Sequence, residues 1–291
     1  MRFWQCISYS HPRECVALAK TAEAAGFDGV TLAEHIFYPL QLRSKHPYSP
    51  PDAPAFEATE LWAEVWTSFA AMAAVTERLQ FASAVNVLPM FNPYLYAKQL
   101  ATLAHISDDR VIIGSGAGWM AEEFEAFGVD FKTRGRRYDE CIALLRALWQ
   151  GGPVTFRGEF FQCEDLLMLP APKRPPPIWI GGKTEIALRR AVRVGDGWMG
   201  TGESLDESFA LVERLQELRR EAGREHDDFR IMTIQPWGTY GDAEVERARR
   251  LGITDIVNWT FPFVVGTLTP TLEQKLDYML ATGAAIRQRY G

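Results

Sequence analysis

The chain has 291 residues, 47% hydrophobic and 23% charged, which is typical of a globular protein with a large core and no need of disulfides or structural metal. Its formal net charge of −6 argues against nucleic acid or an anionic membrane as the main partner. The four cysteines form no C-x-x-C pair, the N-terminus lacks a signal-peptide core, and no apolar run reaches the ~20 residues that cross a bilayer. We therefore expect a cytoplasmic protein.

Short apolar runs alternate with longer amphipathic segments along the chain. The predicted strands are 3–8, 29–32, 79–88, 111–114, 178–180, 197–199, 230–234 and 255–258. The predicted helices are 12–25, 60–75, 94–105, 137–149, 184–194, 206–222, 243–251 and 271–286. Residues 151–177 interrupt this alternation with a predicted hairpin around Arg157-Gly158 and a proline-rich connector.

Eight strand–helix alternations without a domain-sized linker predict a (β/α)₈ TIM barrel, formed as a single domain by residues 1–291, with a small insertion before strand 5. The alternative is an open α/β sheet. In a barrel, functional groups lie on the loops that follow the carboxyl ends of the strands. Those loops are therefore where we look for chemistry.

Two glycine-rich loops follow predicted strands. Residues 114–119, Gly-Ser-Gly-Ala-Gly-Trp, allow a ligand to approach the backbone closely, although such a loop can equally be a structural turn. Their spacing is not G-x-G-x-x-G, which disfavours a Rossmann fold. Gly181, Gly182, Lys183 and Thr184 open directly into a helix, where backbone N–H groups and the helix dipole can bind a phosphate. Thr184 acting as a simple N-cap is the alternative.

Polar residues at two other strand ends are further candidates. Glu34 and His35 follow the second strand, where His35 can exchange a proton near neutral pH or serve structurally. Asn86, near the end of the third, can hydrogen-bond the edge of a ligand ring or satisfy backbone groups. No clustered ligand spacing predicts a metal site.

Several of these segments resemble the bacterial luciferase-like monooxygenase superfamily. The resemblance is carried by residues 109–131, which contain the Gly-Ala-Gly-Trp loop, by 134–140, and by 177–191 together with Gly195-Asp-Gly-Trp198. Asn92-Pro93 and residues 98–103 fit as well, and the likeness extends from about residue 10 to 285. It implies a TIM barrel that binds coenzyme F420 or FMN at its mouth.

The resemblance also implies roles for individual residues. The cofactor-binding set is Val85, Asn86, Gly116, Ala117, Gly118, Trp119, Gly181, Gly182 and Lys183, with the phosphate on the last three. A non-prolyl cis peptide is expected near Val85-Asn86. Glu34 and His35 stand where the family has Asp-His, which implies that both are catalytic.

The chain departs from the family pattern at three places. Ser107-Asp-Asp-Arg110 replaces the usual Ser-Gly-Gly-Arg turn, which we interpret as a surface change. Trp119 stands where some deazaflavin dehydrogenases have a glutamate proton donor, which argues against a sugar-phosphate dehydrogenase reaction. The loop 40–54 is long and irregular, so the family does not identify the substrate.

The favoured function is F420-dependent hydride transfer to or from a small organic substrate, with His35 exchanging the proton. The alternative is an FMN-dependent two-component monooxygenase served by a separate flavin reductase. A non-catalytic flavin-binding barrel is an alternative of another class, and a metal-dependent hydrolase lacks its ligand cluster. We expect a homodimer, because family members commonly pair through barrel-side helices.

Overall fold

The computed structural model describes residues 1–46, 56–235 and 240–290. Eight parallel strands form a closed barrel in the order β1-β10-β9-β8-β7-β4-β3-β2. The barrel strands are β1 (Arg2–Cys6), β2 (Gly29–Leu32), β3 (Gln80–Ser83), β4 (Val111–Ser115), β7 (Ile178–Gly181), β8 (Gly197–Gly200), β9 (Arg230–Ile234) and β10 (Asp255–Asn258). The predicted TIM barrel is confirmed.

Helices connect successive barrel strands. They are α1 (Cys15–Ala25), α2 (Val65–Ala73), α3 (Pro93–Ser107), α4 (Ala121–Ala126), α5 (Arg134–Leu148), α6 (Glu185–Val194), α7 (Leu205–Glu221), α8 (Asp242–Arg250), α9 (Phe261–Val265) and α10 (Leu272–Tyr290). The short helices α4 and α9 lie in segments predicted as loops. None of the helices in the described ranges is long and apolar enough to cross a membrane.

Two predicted boundaries differ from the structure more than the others do. The second predicted helix begins at Val65 rather than residue 60, because Glu64 caps it by accepting from the backbone N–H groups of Trp66 and Thr67. The third strand ends at Ser83 instead of residue 88, and a 3-10 turn occupies Leu88–Met90. The predicted hairpin is confirmed as antiparallel β5 (Val154–Arg157) and β6 (Gln162–Leu166).

Large side chains fill the interior of the barrel. Its core consists of Trp4, Cys6, Ala82, Ile112, Trp179, Met199, Met232 and Val257, with the half-buried Ala84, Val85 and Ile234 packed against it. Trp4 and Trp179 meet edge to face with their ring centroids 6.3 Å apart. Since no channel passes through such a packed core, a ligand has to bind above it.

The amino-terminal end of the barrel is closed by an ionic network. The fully buried carboxylate of Asp255 accepts from Arg2 Nε at 2.7 Å, from Trp4 Nε1 at 2.8 Å and from Arg230 Nη2 at 3.0 Å. These partners satisfy a charge that would otherwise be costly to bury. The open mouth is therefore at the carboxyl ends of the strands.

Candidate active site

The two glycine-rich loops lie side by side at the mouth. Strand β4 pairs with β7 in parallel register, with Ser115 opposite Ile180, so the loops that follow both strands leave the sheet together. Val85 lies against both loops. A Cβ built on Gly181 would be 2.6 Å from Val85 Cγ1, and one built on Gly116 would be 3.1 Å from Val85 Cγ2. Glycine therefore lets both loops approach Val85 closely.

The end of β3 carries a non-prolyl cis peptide, as the family resemblance implied. It joins Ala84 to Val85, one peptide before the expected position. The following peptide stays in the sheet, because the backbone N–H of Asn86 donates to the Gly114 carbonyl at 2.8 Å and the Asn86 carbonyl accepts from Gly116 N–H at 2.9 Å. The backbone of Asn86 is thus held beside the glycine loop of β4.

The side chain of Asn86 faces the helices behind the strand. Its Nδ2 donates to Glu34 Oε1 at 2.5 Å and to the hydroxyl of Tyr96, on α3, at 3.1 Å. Its buried Oδ1 has no hydrogen-bond partner in the described part of the chain. The amide expected at the edge of a ligand ring is therefore engaged between Glu34 and α3.

Glu34 lies in the same buried cluster. Its Oε2 accepts from the backbone N–H of Val65 at the start of α2, at 3.0 Å, and the residue is 9% exposed. Burial raises the pKa of Glu34 to about 7, and the nearby carboxylates of Glu64 and Glu123 act in the same direction. The hydrogen bonds from Val65 and Asn86 act against this rise.

His35, the next residue, lies in an aromatic cluster at the mouth. Its ring stacks on Phe56 with the centroids 4.4 Å apart, and meets the edges of Trp62 at 4.9 Å and Trp119 at 5.5 Å. Its Nδ1 is 3.2 Å from Glu123 Oε1, and its side chain is 12% exposed. We call Phe56, Trp62 and Trp119 the aromatic wall.

The expected phosphate-binding turn leads directly into α6. Thr184 is the N-cap and accepts from the backbone N–H of Ala187 at 3.3 Å, while Gly182 has a φ of +125°, which favours glycine. The first-turn N–H groups of a helix have no partner within it. The turn therefore has the geometry of an anion cradle.

Lys183 does not point freely into that cradle. Its Nζ lies 3.3 Å from Glu203 Oε1 and 3.3 Å from Glu207 Oε1. Although burial acts to lower it, the pKa of Lys183 is raised by these two carboxylates. Contact with an anion here would fall mainly to backbone N–H groups.

The structure adds Glu122 and Glu123, which the sequence analysis did not single out. Both lie in α4, inside the segment that carries the family resemblance. An acidic pair just after the Gly-Trp-Met stretch is a weak signal, because such residues usually face solvent at a helix start. Among the described residues, no group of three or more His, Cys, Asp or Glu is arranged to hold a metal.

Comparison with known proteins agrees with this geometry. An uncharacterised protein of Mycobacterium tuberculosis is 40% identical over 262 residues, covering 90% of each chain. An F420-dependent glucose-6-phosphate dehydrogenase of Tsukamurella paurometabola is 32% identical over 227 residues, which are 74% of this chain and 62% of that protein. A monooxygenase of Streptomyces bottropensis has the same fold, with a TM-score of 0.74, 20% identity and full coverage of both chains.

The family described as luciferase-like monooxygenase matches residues 3–253, most of the chain. The strand order of the barrel and the paired glycine loops at its mouth agree with this match. The chain therefore belongs to the luciferase-like monooxygenase family of oxidoreductases.

Proposed function

We propose that this protein uses a flavin-type cofactor, coenzyme F420, to move a hydride to or from a small organic substrate. The observation that carries the proposal lies at one mouth of the barrel, where four adjacent strands, β2, β3, β4 and β7, end. His35, Val85 and Gly116 follow the first three of these strands, and Gly181 is the last residue of β7. The 32% sequence identity to a protein named for its F420 dependence favours F420, a deazaflavin, over FMN.

The residues at the mouth fit such a cofactor. Gly181, Gly182 and the first turn of α6 would hold its phosphate through backbone N–H groups, with Lys183 nearby. Val85, left uncovered by side chains at Gly116 and Gly181, would support the ring from below. Ala117, Gly118 and Trp119 would border the ring, and Asn86 would contribute through its backbone. When bound, the cofactor supplies hydride chemistry.

His35 would exchange the proton that accompanies the hydride. Its Nε2 has no hydrogen-bond partner among the described residues, whereas its Nδ1 is engaged by Glu123. The aromatic wall around the ring excludes water and favours an apolar substrate. Glu34 would support the site from behind, since its carboxyl is engaged with Val65 and Asn86.

A phosphorylated sugar is a poor match to this mouth. Trp119 stands at the position of the glutamate donor noted above, and Lys183 is paired with Glu203 and Glu207. Arg43, on the loop after β2, is paired with Glu122 and Glu125. We therefore propose a substrate that carries no phosphate.

An FMN-dependent two-component monooxygenase, served by a separate reductase, is the second candidate. The description of the family as monooxygenases favours it. The single domain of residues 1–291, the homodimer and the cytoplasmic location remain predictions.

Titrating the protein with F420 and with FMN, followed by quenching of cofactor fluorescence, tests the proposal. We expect saturable binding of F420. Binding of FMN alone would favour the monooxygenase, and binding of neither would refute a flavin-type cofactor. Binding of F420 without reduction or oxidation by a broad panel of alcohols, aldehydes and ketones would favour a non-catalytic barrel.

The substitution Thr184→Asp tests the phosphate position without disturbing the fold. Aspartate is a good N-cap, and its negative charge interacts favourably with the helix dipole, so the unfolding free energy should not fall. Its charge should nevertheless repel the phosphate and weaken F420 binding. Thr184→Ser keeps the cap without the charge and should bind F420 as the wild type does. Equal affinities in both variants would move the phosphate away from α6.

A further inference from the structure

The two carboxylates of α4 bind the loop that follows β2. Glu122 accepts from the backbone N–H groups of Arg43 at 2.6 Å and Ser44 at 3.0 Å, and Glu123 accepts from that of Ile36 at 2.8 Å. The two residues are only 8% and 2% exposed. Buried carboxylates are rare unless they are hydrogen-bonded, and here the loop backbone donates to Oε1 of each residue.

Glu123 has one contact that Glu122 lacks. Its Oε1, the oxygen that accepts from Ile36, also lies 3.2 Å from His35 Nδ1. An ionised carboxylate has no hydrogen to donate, so its contact with Nδ1 requires the hydrogen to be on Nδ1. In neutral His35 this leaves Nε2 as an acceptor.

The rings around His35 hold its plane in place. It is stacked on Phe56 and bounded by the edges of Trp62 and Trp119. Glu60 and His46 lie close enough to interact with it electrostatically, but Glu123 makes the one side-chain hydrogen bond to its ring in the described part of the chain. Glu123 therefore determines which nitrogen holds the proton.

We propose that Glu123 is a positioning residue, which fixes His35 with hydrogen on Nδ1 and so keeps Nε2 as the atom that exchanges the substrate proton. The inference rests on the proposed function of His35. The role resembles that of the carboxylate that orients histidine in a hydrolase triad, although no nucleophile is involved here.

The tautomer of His35 can be measured without cofactor or substrate. In protein labelled with ¹⁵N-histidine, assigned with a His35→Gln variant, we expect the neutral ring of wild type to carry its hydrogen on Nδ1. Glu123→Ala should shift it to Nε2, the form that free histidine prefers. Glu123→Gln keeps an acceptor oxygen and should restore the Nδ1–H form.

Glu122→Ala is the matched control, since it removes a buried carboxylate of the same helix that binds the same loop but does not touch His35. In this variant the ring of His35 should keep the wild-type tautomer. A wild-type ring protonated on Nε2, or an unchanged tautomer in a folded Glu123→Ala protein, would overturn the inference. Loss of the tautomer in both alanine variants would assign the effect to the loop and would also overturn it.

Turnover separates this inference from the proposed function. His35→Ala should lower kcat by about 10²-fold, and Glu123→Ala by about 10-fold with less change in KM. Full activity of His35→Ala would refute the proton role of His35, whatever Glu123 does. A large loss in His35→Ala beside full activity in Glu123→Ala would refute the positioning role alone.

Discussion

The buried carboxyl of Glu34 makes the stability of this protein depend on pH near neutrality. Burial raises the pKa of Glu34 from its ordinary 4.5 to about 7. The folded state therefore favours the neutral acid, so this stabilisation is complete below pH 4.5 and is lost as pH rises through about 7. At about 1.4 kcal/mol per pKa unit, the loss amounts to about 3 kcal/mol.

The substitution Glu34→Gln removes this titration while keeping a similar shape. Val65 and Asn86 must adjust to one new NH₂ group, which changes the unfolding free energy. Because an amide does not titrate, this change is the same at every pH. The unpartnered Oδ1 of Asn86 can accept from it after the Asn86 amide turns over. The difference in unfolding free energy between wild type and Glu34→Gln therefore reports on Glu34 only through its dependence on pH.

Urea unfolding followed by tryptophan fluorescence at pH 5, 6, 7 and 8 is the assay. Between pH 5 and 8 we expect the wild type to lose on the order of 3 kcal/mol relative to Glu34→Gln. Glu122→Gln is the control. Although burial opposes it, hydrogen bonds from Ser44 and from the backbone of Arg43 lower the pKa of Glu122 to about 2, so its titration lies below this window. Parallel curves for wild type and Glu34→Gln would refute the reasoning.

Two further predictions concern the turn between α3 and β4. Arg110 donates five hydrogen bonds, to oxygens of Ala73, Thr76, Leu79 and Ser107. Arg110→Ala should therefore lower the unfolding free energy by about 3 kcal/mol or more. Arg110→Lys should recover little of this loss, because a single ammonium group cannot reach the same oxygens. A loss below about 1 kcal/mol in urea unfolding would contradict this. Asp108 ends α3 with a φ of +51°, so Asp108→Gly should raise the melting temperature by relieving about 1 kcal/mol of backbone strain; a fall would show that its side chain matters more.

That turn also shows how far a sequence motif can be interpreted. Two aspartates stand where the family has two glycines, and the backbone has positive φ, which favours glycine, at both Asp108 and Asp109. The side chain of Asp108 is exposed, as a surface change requires, but that of Asp109 is largely buried and lies 3.2 Å from Arg174. The interpretation as a surface change thus fits Asp108 but not Asp109.

Asn86 and Lys183 show that local sequence pattern could not predict where a side chain beyond the end of a strand faces. Both follow strands and were expected to face a ligand, yet the Asn86 amide is engaged with Glu34 and Tyr96, and Lys183 with Glu203 and Glu207. Strand alternation predicts the facing of a side chain only within the strand, and β3 ends at Ser83. Beyond that point the facing of Asn86 depends on packing against α3.

Short-range patterns in the chain were sufficient to predict the eight strands, the helices between them, the hairpin before β7 and the glycine loops at the mouth. Apolar periodicity, glycine and proline act through neighbouring residues, so they can be interpreted along the sequence. The tertiary structure alone decided that Glu123 meets His35 across 88 positions, and that Glu34 is buried enough to hold a proton near neutral pH. The first depends on the pairing of β2, β3 and β4, which brings α4 over the end of β2. The second depends on packing of α2 and α3 around Glu34, which removes it from water.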